Sequence, residues 1–153
     1  MWGCFAKASK YVTLLEQAFV IFRLPSLHRN MRNELKFSKK IYFYDNGLRN
    51  ALISNLNPVE LRQDVGVLWE NFLMSERIKQ NRYSLRYSQS YFWRTQQQKE
   101  IDLIEELNGE FCAFEFKWNT KKTKLVSSEF ATAYPGSKFQ CITPENYLEF
   151  LMS

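Results

Sequence analysis

The sequence has a single histidine, His28, and neither of the two glycine-rich motifs that bind nucleotide phosphates. With one histidine, a histidine-based triad and an imidazole metal site are excluded. Without a GxxxxGK or a GxGxxG motif, we expect no ATPase activity from this chain alone. Cys4, Cys112 and Cys141 are far apart and form no CxxC, which favours reduced thiols over a disulfide framework or a zinc site.

Long apolar runs are also lacking. No run approaches the roughly 18 residues that span a bilayer, and the N-terminus is too polar for a secretory signal. We therefore expect a cytoplasmic protein with no membrane partner. A chain of 153 residues with 45% hydrophobic and 16% aromatic residues has enough apolar side chains for a real core, in one domain or one domain with a small appendage.

The net charge of +5 is unevenly distributed. Residues 1–64 hold ten Lys/Arg against five Asp/Glu, whereas residues 65–153 hold eleven of each. The basic side chains that make up most of this excess are Arg23, Arg29, Arg32, Lys36, Lys39 and Lys40. Such a patch is typical of a surface that contacts a nucleic-acid backbone or an acidic partner. A solvated surface with no partner is an equally good interpretation of so small an excess.

The first 64 residues predict a helix, a strand, a basic loop and a second strand. Helical spacing covers residues 9–20, the strands are expected at 20–24 and 39–44, and Asp45 is placed to cap a short helix through Ile53. This order is similar to the second half of a winged-helix unit. We place a domain boundary at Asp64, which gives a partial winged-helix segment at 1–64 and an α/β domain at 65–153.

The second part predicts a mixed central sheet flanked by helices. Its predicted elements are a helix at 65–80, a strand within 83–95, a hairpin at 99–118, a helix at 125–134, a strand at 138–143 and a terminal helix that starts at Pro144 and ends at Leu151. Asn108-Gly109 in the hairpin indicates a two-residue type I′ turn, with Leu107 paired to Glu110.

That register brings charged side chains together inside the sheet. It sets Asp102 opposite Glu115, and Lys117 follows Glu115 on the same face. Apolar neighbours on both faces predict that the sheet is covered on both sides, where two unpaired carboxylates would be unstable. Their hard oxygen atoms suit Mg²⁺ or Mn²⁺.

We therefore predict a metal site with Asp102, Glu115 and, from the preceding helix, Glu70 as ligands. Lys117 would orient water or neutralise charge on a phosphate. Glu100 shares the face of Asp102 and is a further oxygen donor. A structural ion cluster, an exposed Glu70 and an exposed Glu100 stay open as alternatives. Arg94 is a candidate phosphate contact or a simple rim charge.

The helix–β–β–β–helix–β order with Glu70, Asp102 and Glu115-Phe116-Lys117 resembles the PD-(D/E)XK, or restriction-endonuclease-like, core. The resemblance implies that Asp102 and Glu115 hold Mg²⁺ for phosphodiester hydrolysis, with Lys117 as the catalytic lysine and Glu70 as the helix glutamate. Ile101 stands where that signature has proline.

A closer resemblance is carried by YVTLLEQAFVIFRLP, KKIYFYDNGLRNALI, LWENFLMSERIK, YFWRTQQQKEIDLIEE and AFEFKWN. These blocks look like the uncharacterised C-terminal domain of prokaryotic AAA-family ATPases. The resemblance implies an ATPase module that normally precedes this part in the same chain, so we expect a C-terminal piece.

The leading hypothesis is a metal-dependent nuclease-like domain that acts on DNA. A non-catalytic adaptor that binds nucleic acid or protein for the ATPase is the rival, and an inert remnant is a third. Trp2 and Phe5 are expected to be exposed and point to a partner surface, so an oligomer stays open.

Overall fold

The structure, a computed structural model, describes residues 2–28, 38–121 and 127–153, with side chains from Ala8 onward. Its elements are α1 (Trp2–Gln17), β1 (Ile21–Pro25), β2 (Lys39–Phe43), α2 (Asn46–Leu52), a 3₁₀ turn (Val59–Leu61), α3 (Val65–Tyr83), β3 (Gln89–Arg94), β4 (Glu100–Leu107), β5 (Glu110–Phe116), α4 (Ser128–Ala133), β6 (Lys138–Ile142) and α5 (Tyr147–Met152). None of the helices in these ranges is long and apolar enough to cross a membrane.

Two sheets organise the described chain. β1 and β2 form an antiparallel pair. The second sheet has the order β3-β4-β5-β6, antiparallel except for the parallel pairing of β5 with β6. Helices flank this mixed sheet, as the α/β prediction expected.

Both faces of the larger sheet are covered. One hydrophobic core includes Leu73 of α3, Phe114 of β5 and Phe150 of α5, and it extends to Leu24 and Tyr42 of the β1–β2 hairpin. The second core lies on the other face, where the fully buried Phe130 of α4 joins side chains of β3, β4 and β5. The hairpin therefore packs into the same core as α3, and it does not stand apart from the larger sheet.

The hairpin between β4 and β5 has the predicted register. Asn108 and Gly109 both have positive φ, 53° and 83°, which is the signature of a type I′ turn. Leu107 pairs with Glu110, so the predicted pairing of this hairpin is confirmed.

A β-bulge interrupts β4. The pairing of β3 with β4 shifts by one residue between Tyr91 and Trp93, so Asp102 and Leu103 together oppose the single residue Phe92. A bulge lets consecutive side chains turn to the same face. Asp102 therefore joins Leu103 on the face that α3 covers.

Helix boundaries differ from the predictions at several places. Asp45 caps α2 as predicted, because its carboxylate accepts the Leu48 N–H at 2.9 Å. α1 begins at Trp2, well before the predicted start, and α4 begins only at Ser128. The prediction that Pro144 begins the last helix was wrong, because α5 starts at Tyr147. A turn precedes α5, in which the side chain of Asn146 accepts the N–H of Thr143 at 2.8 Å.

Candidate metal centre

Three carboxylates meet where α3 crosses the beginning of β4. Glu70 projects from α3, and Glu100 and Asp102 lie two residues apart on β4. One oxygen atom from each lies within 4.8 Å of the other two. Glu70 and Glu100 are half-buried and Asp102 is buried, so the group lies at the edge of the core.

β2 contributes a lysine and a tyrosine to this acidic group. Lys40 and Tyr42 share one face of the strand, because they are two residues apart. The Nζ atom of Lys40 lies 2.9 Å from Oε1 of Glu70 and 3.9 Å from Oδ1 of Asp102, and it also contacts Oε1 of Glu100. The hydroxyl of Tyr42 donates to Oε1 of Glu70 at 2.7 Å. One ammonium group thus contacts all three carboxylates.

The electrostatic balance of the group is unfavourable to a charged Asp102. Burial raises the pKa of its carboxyl, and the negative charges of Glu70 and Glu115 raise it further. The Phe116 N–H and the Lys40 ammonium oppose this rise, but the pKa still reaches about 7. Burial disfavours the charged form of Lys40, yet the neighbouring carboxylates outweigh it and raise its pKa above the ordinary value. The site therefore has more negative charge than its cations neutralise.

Glu115 and Lys117 form a separate charged pair at the end of β5. The regular pairing of β4 with β5 ends at Leu103 and Phe114, one position before Asp102 would face Glu115. Instead, Oδ2 of Asp102 accepts the Phe116 N–H at 2.8 Å.

The carboxylate of Glu115 is buried and accepts a bond from Nζ of Lys117 at 2.7 Å. Glu115 also lines a cleft of about 360 Å³ with Ser127, Ser128 and Phe139. The structure thus brings the predicted residues Glu70 and Asp102 together with Glu100. Glu115 is not part of this group: it alternates with Phe114 and Phe116 of the α3 core, so its side chain lies on the other face of the sheet from Asp102 and does not share the face that the regular register predicts. Its charge still raises the pKa of Asp102.

Three of the basic residues predicted to contact nucleic acid already contact a carboxylate. Arg23 donates to Glu16, and Arg94 pairs with Glu100. Lys40 is part of the acidic group described above. The other predicted positions are Lys39, which is exposed, and Arg29, Arg32 and Lys36, which lie outside the described residues.

Sequence reasoning missed the role of Lys40 and Tyr42. The sequence predicts a basic surface for Lys40, because several lysines and arginines surround it. The signal was the alternation in KKIYFY, which puts Lys40 on the same strand face as the largely buried Tyr42. A lysine on an inward strand face needs a carboxylate partner, and Glu70 is that partner.

Comparison with known proteins gives two family matches. Residues 65–147 match the family described as "Domain of unknown function (DUF4143)", and residues 5–59 match "Domain of unknown function (DUF8612)". No solved structure matches the chain.

Two curated mycobacterial proteins are similar over most of the chain. They are "Uncharacterized protein Rv2008c" of Mycobacterium tuberculosis and "Uncharacterized protein Mb2031c" of Mycobacterium bovis, each 34% identical over 141 residues. The alignment covers 84% of this chain and 31% of each relative, so the chain spans about a third of their length. Since the first family match covers more than half of the 153 residues, the chain belongs to the DUF4143 family, a domain found in AAA-ATPase-associated proteins.

Proposed function

We propose that this chain is a metal-dependent nuclease-like domain that hydrolyses phosphodiester bonds in DNA and works beside an AAA-type ATPase module. The observation that carries the proposal is the meeting of Glu70, Glu100 and Asp102. The Glu115–Lys117 pair lies at the end of β5, and both of its charges interact with Asp102. The resemblance to the PD-(D/E)XK core, in which an acidic strand precedes a Glu-x-Lys strand, supports the same reading.

The donor set suits a hard divalent cation. All three side chains offer carboxylate oxygens, which Mg²⁺ and Mn²⁺ prefer. One oxygen atom of each carboxylate lies within 4.8 Å of the other two, so movement of these side chains would bring all three within reach of one ion. The rise in the pKa of Asp102 also fits, since a bound cation favours the ionised carboxylate.

Each residue of the site has a distinct task in this proposal. Glu70, Glu100 and Asp102 would hold the metal ion. When bound, the ion supplies Lewis-acid polarisation of a phosphate oxygen and lowers the pKa of a water molecule. The Tyr42 hydroxyl orients Glu70, and the Phe116 N–H holds one oxygen of Asp102, which leaves its other oxygen directed toward the acidic group.

Lys117 is suited to an electrostatic role. Burial disfavours its charged form, but the bond to Glu115 and the charges of Glu115 and Asp102 raise its pKa above the ordinary value. Lys117 therefore stays an ammonium ion at neutral pH, where it cannot accept a proton from water. In this proposal its charge would neutralise a phosphate oxygen as negative charge develops there.

The test is cleavage of plasmid and linear DNA with Mg²⁺ or Mn²⁺. We expect Asp102→Asn and Glu115→Gln each to reduce the rate at least about 100-fold, because the first removes a metal ligand and the second removes the carboxylate that holds Lys117. Glu110→Gln is the matched control, since Glu110 is exposed at the opposite end of β5. Equal rates for Asp102→Asn and Glu110→Gln would remove the catalytic proposal.

A second candidate function is a non-catalytic adaptor that binds nucleic acid or a protein for the ATPase. The observation that favours it is that Lys40 and Arg94 already pair with the carboxylates, as in a structural ion cluster. Calorimetric titration with Mn²⁺ separates the two functions. The nuclease proposal predicts binding heat that disappears in Asp102→Asn, and the adaptor predicts no difference between the two proteins.

A further inference from the structure

We infer that Lys40 is a built-in competitor for the metal site, so that a divalent cation binds only when the Lys40 ammonium leaves the three carboxylates. This inference rests on the proposed function, because it concerns occupancy of the same site. It assigns a regulatory role to the β1–β2 hairpin, which lies outside the part of the chain that carries the carboxylates.

The first step is that Lys40 occupies the position a cation would take. Its Nζ atom contacts Glu70 at 2.9 Å and Asp102 at 3.9 Å, and it contacts Glu100 as well. These are the same three carboxylates whose oxygens converge within 4.8 Å. A divalent ion bound to them would lie within a few ångströms of the ammonium, and like charges at that distance repel strongly. The two cations therefore exclude each other.

The second step is that the β1–β2 hairpin fixes the backbone of Lys40 next to the three carboxylates. Asn71 of α3 accepts the Phe43 N–H at 2.8 Å and donates to the Phe43 carbonyl at 2.9 Å. Tyr42 is bonded to Glu70 on the same helix. The backbone of β2 is thus fixed against α3, and only the long Lys40 side chain needs to move.

The third step is that open space next to Lys40 can accept its displaced ammonium group. Its side chain is 18% exposed and lines an open cleft of about 390 Å³ with Glu70, Arg94 and Glu100. A change of side-chain rotamer would take the ammonium into this cleft without breaking the bonds between β2 and Asn71.

The charge balance agrees with an exchange of cations. When all three carboxylates are ionised, Lys40 and Arg94 leave the group with one net negative charge. If a divalent ion replaces the Lys40 ammonium, the same group becomes neutral. A divalent ion therefore neutralises the negative charge that Lys40 leaves. The protein with bound metal and the protein without it would differ mainly in the position of the Lys40 side chain.

The test measures Mn²⁺ binding by calorimetry in the unsubstituted chain, Lys40→Met, Asp102→Asn and Lys138→Met. We expect Lys40→Met to bind Mn²⁺ at least about tenfold more tightly, since no ammonium has to be displaced. Lys138 pairs with Glu110 on the surface, so Lys138→Met should bind like the unsubstituted chain.

Two outcomes overturn the inference in distinguishable ways. If Mn²⁺ binding depends on Asp102 but Lys40→Met binds equally or more weakly, Lys40 supports the site and the proposed function survives. If neither the unsubstituted chain nor Lys40→Met shows binding that depends on Asp102, the proposed function fails as well.

A second measurement needs no substitution, which matters because Lys40→Met also removes contacts between β2 and α3. Lysine acylation followed by mass spectrometry compares Lys40 with Lys138, with and without saturating Mg²⁺. We expect Mg²⁺ to increase the acylation of Lys40 several-fold, because the displaced ammonium becomes exposed, and to leave Lys138 unchanged. Equal acylation of Lys40 in both conditions, while Mg²⁺ binds, contradicts the competition.

Discussion

Two groups of charged side chains lie between α3 and β4, and they are built in opposite ways. In the first, Arg77 of α3 makes two parallel bonds of 2.8 Å to Glu105 of β4, and both side chains are 1% exposed. Asn81 adds a third bond to Glu105 at 2.6 Å. In the second, the single ammonium of Lys40 contacts three carboxylates at the edge of the core.

The difference shows which group is structural. Arg77 also donates to the carbonyl oxygens of Phe150 at 2.5 Å and Ser153 at 2.9 Å, and its guanidinium lies 4.7 Å from the ring of Phe150. Its donors are thus used to join α3, β4 and the residues of α5. A buried group satisfied in this way favours a rigid structure.

In the acidic group around Lys40, by comparison, the negative charges are not fully neutralised. Burial and neighbouring charges raise the pKa of Asp102 to about 7, which marks a carboxyl that is unstable in its charged form. Lys40, Glu70 and Glu100 of this acidic group also line an open cleft. Natural proteins keep such unfavourable groups chiefly at functional sites.

The largest expected effect is on the structural pair. Arg77→Met should lower the free energy of unfolding by about 3–5 kcal/mol, because it leaves the Glu105 carboxylate buried without its main partner. Urea denaturation at pH 7 measures the change. Lys138→Met, which removes an exposed pair with Glu110, should leave the free energy of unfolding unchanged.

The comparison also predicts how divalent ions act on this variant. Mg²⁺ should not restore the stability of Arg77→Met, since the bidentate pair offers no open position for a cation. Restoration by Mg²⁺ would mean that the two groups are coupled, and the contrast between them would be lost.

The second effect concerns the pH dependence of the acidic group. The folded state holds a proton on Asp102 up to a pKa of about 7, whereas an unfolded aspartate has the ordinary value of 3.8. Between these values unfolding releases the proton, so this group makes the protein less stable as pH rises from about 4 to 7. In Asp102→Asn the contribution is absent, and the amide oxygen can still accept the Phe116 N–H.

We therefore expect Asp102→Asn to gain about 4 kcal/mol in free energy of unfolding relative to the unsubstituted chain between pH 4 and pH 8. The measurement is denaturation at several pH values with EDTA present, so that no divalent ion compensates the charge. A constant difference across this pH range would show that Asp102 ionises normally in the folded state.

Patterns local in the sequence predicted a large part of the fold. Asn108-Gly109 predicted both the turn and the register of β4 with β5, since that dipeptide tolerates the positive φ angles of a type I′ turn. Helical spacing predicted α3, and Asp45 predicted the start of α2. Each of these depends on neighbours only a few residues away.

The arrangement of the charges could not be predicted in the same way. Strict alternation along β4 would put Asp102 on the face opposite Leu103, and the bulge changes that through pairing with β3. Lys40 is 30 residues from Glu70, and Arg77 is 28 from Glu105. Charge pairs between distant elements depend on tertiary packing, which periodicity within one element does not reveal.

The smallest expected effect separates two similar tyrosines near the acidic group. Tyr42 is buried and donates to Glu70, whereas the hydroxyl of Tyr44 is bonded to Arg82 at an exposed position. Tyr42→Phe should lower the free energy of unfolding by about 1 kcal/mol, since a partly buried carboxylate loses a donor. Tyr44→Phe should change it much less, because water replaces the exposed bond.

Combining Tyr42→Phe with Glu70→Gln then tests whether the lost free energy of unfolding comes from the bond between these two side chains. If the hydroxyl acts through the Glu70 carboxylate, the effect of Tyr42→Phe should shrink in the Glu70→Gln background, as expected for two residues in contact. Additive effects would mean that the Tyr42 hydroxyl acts independently of the Glu70 carboxylate. The acidic group would then depend on Lys40 for its contact with β2, which strengthens the role of that lysine as the side chain that controls access to the carboxylates.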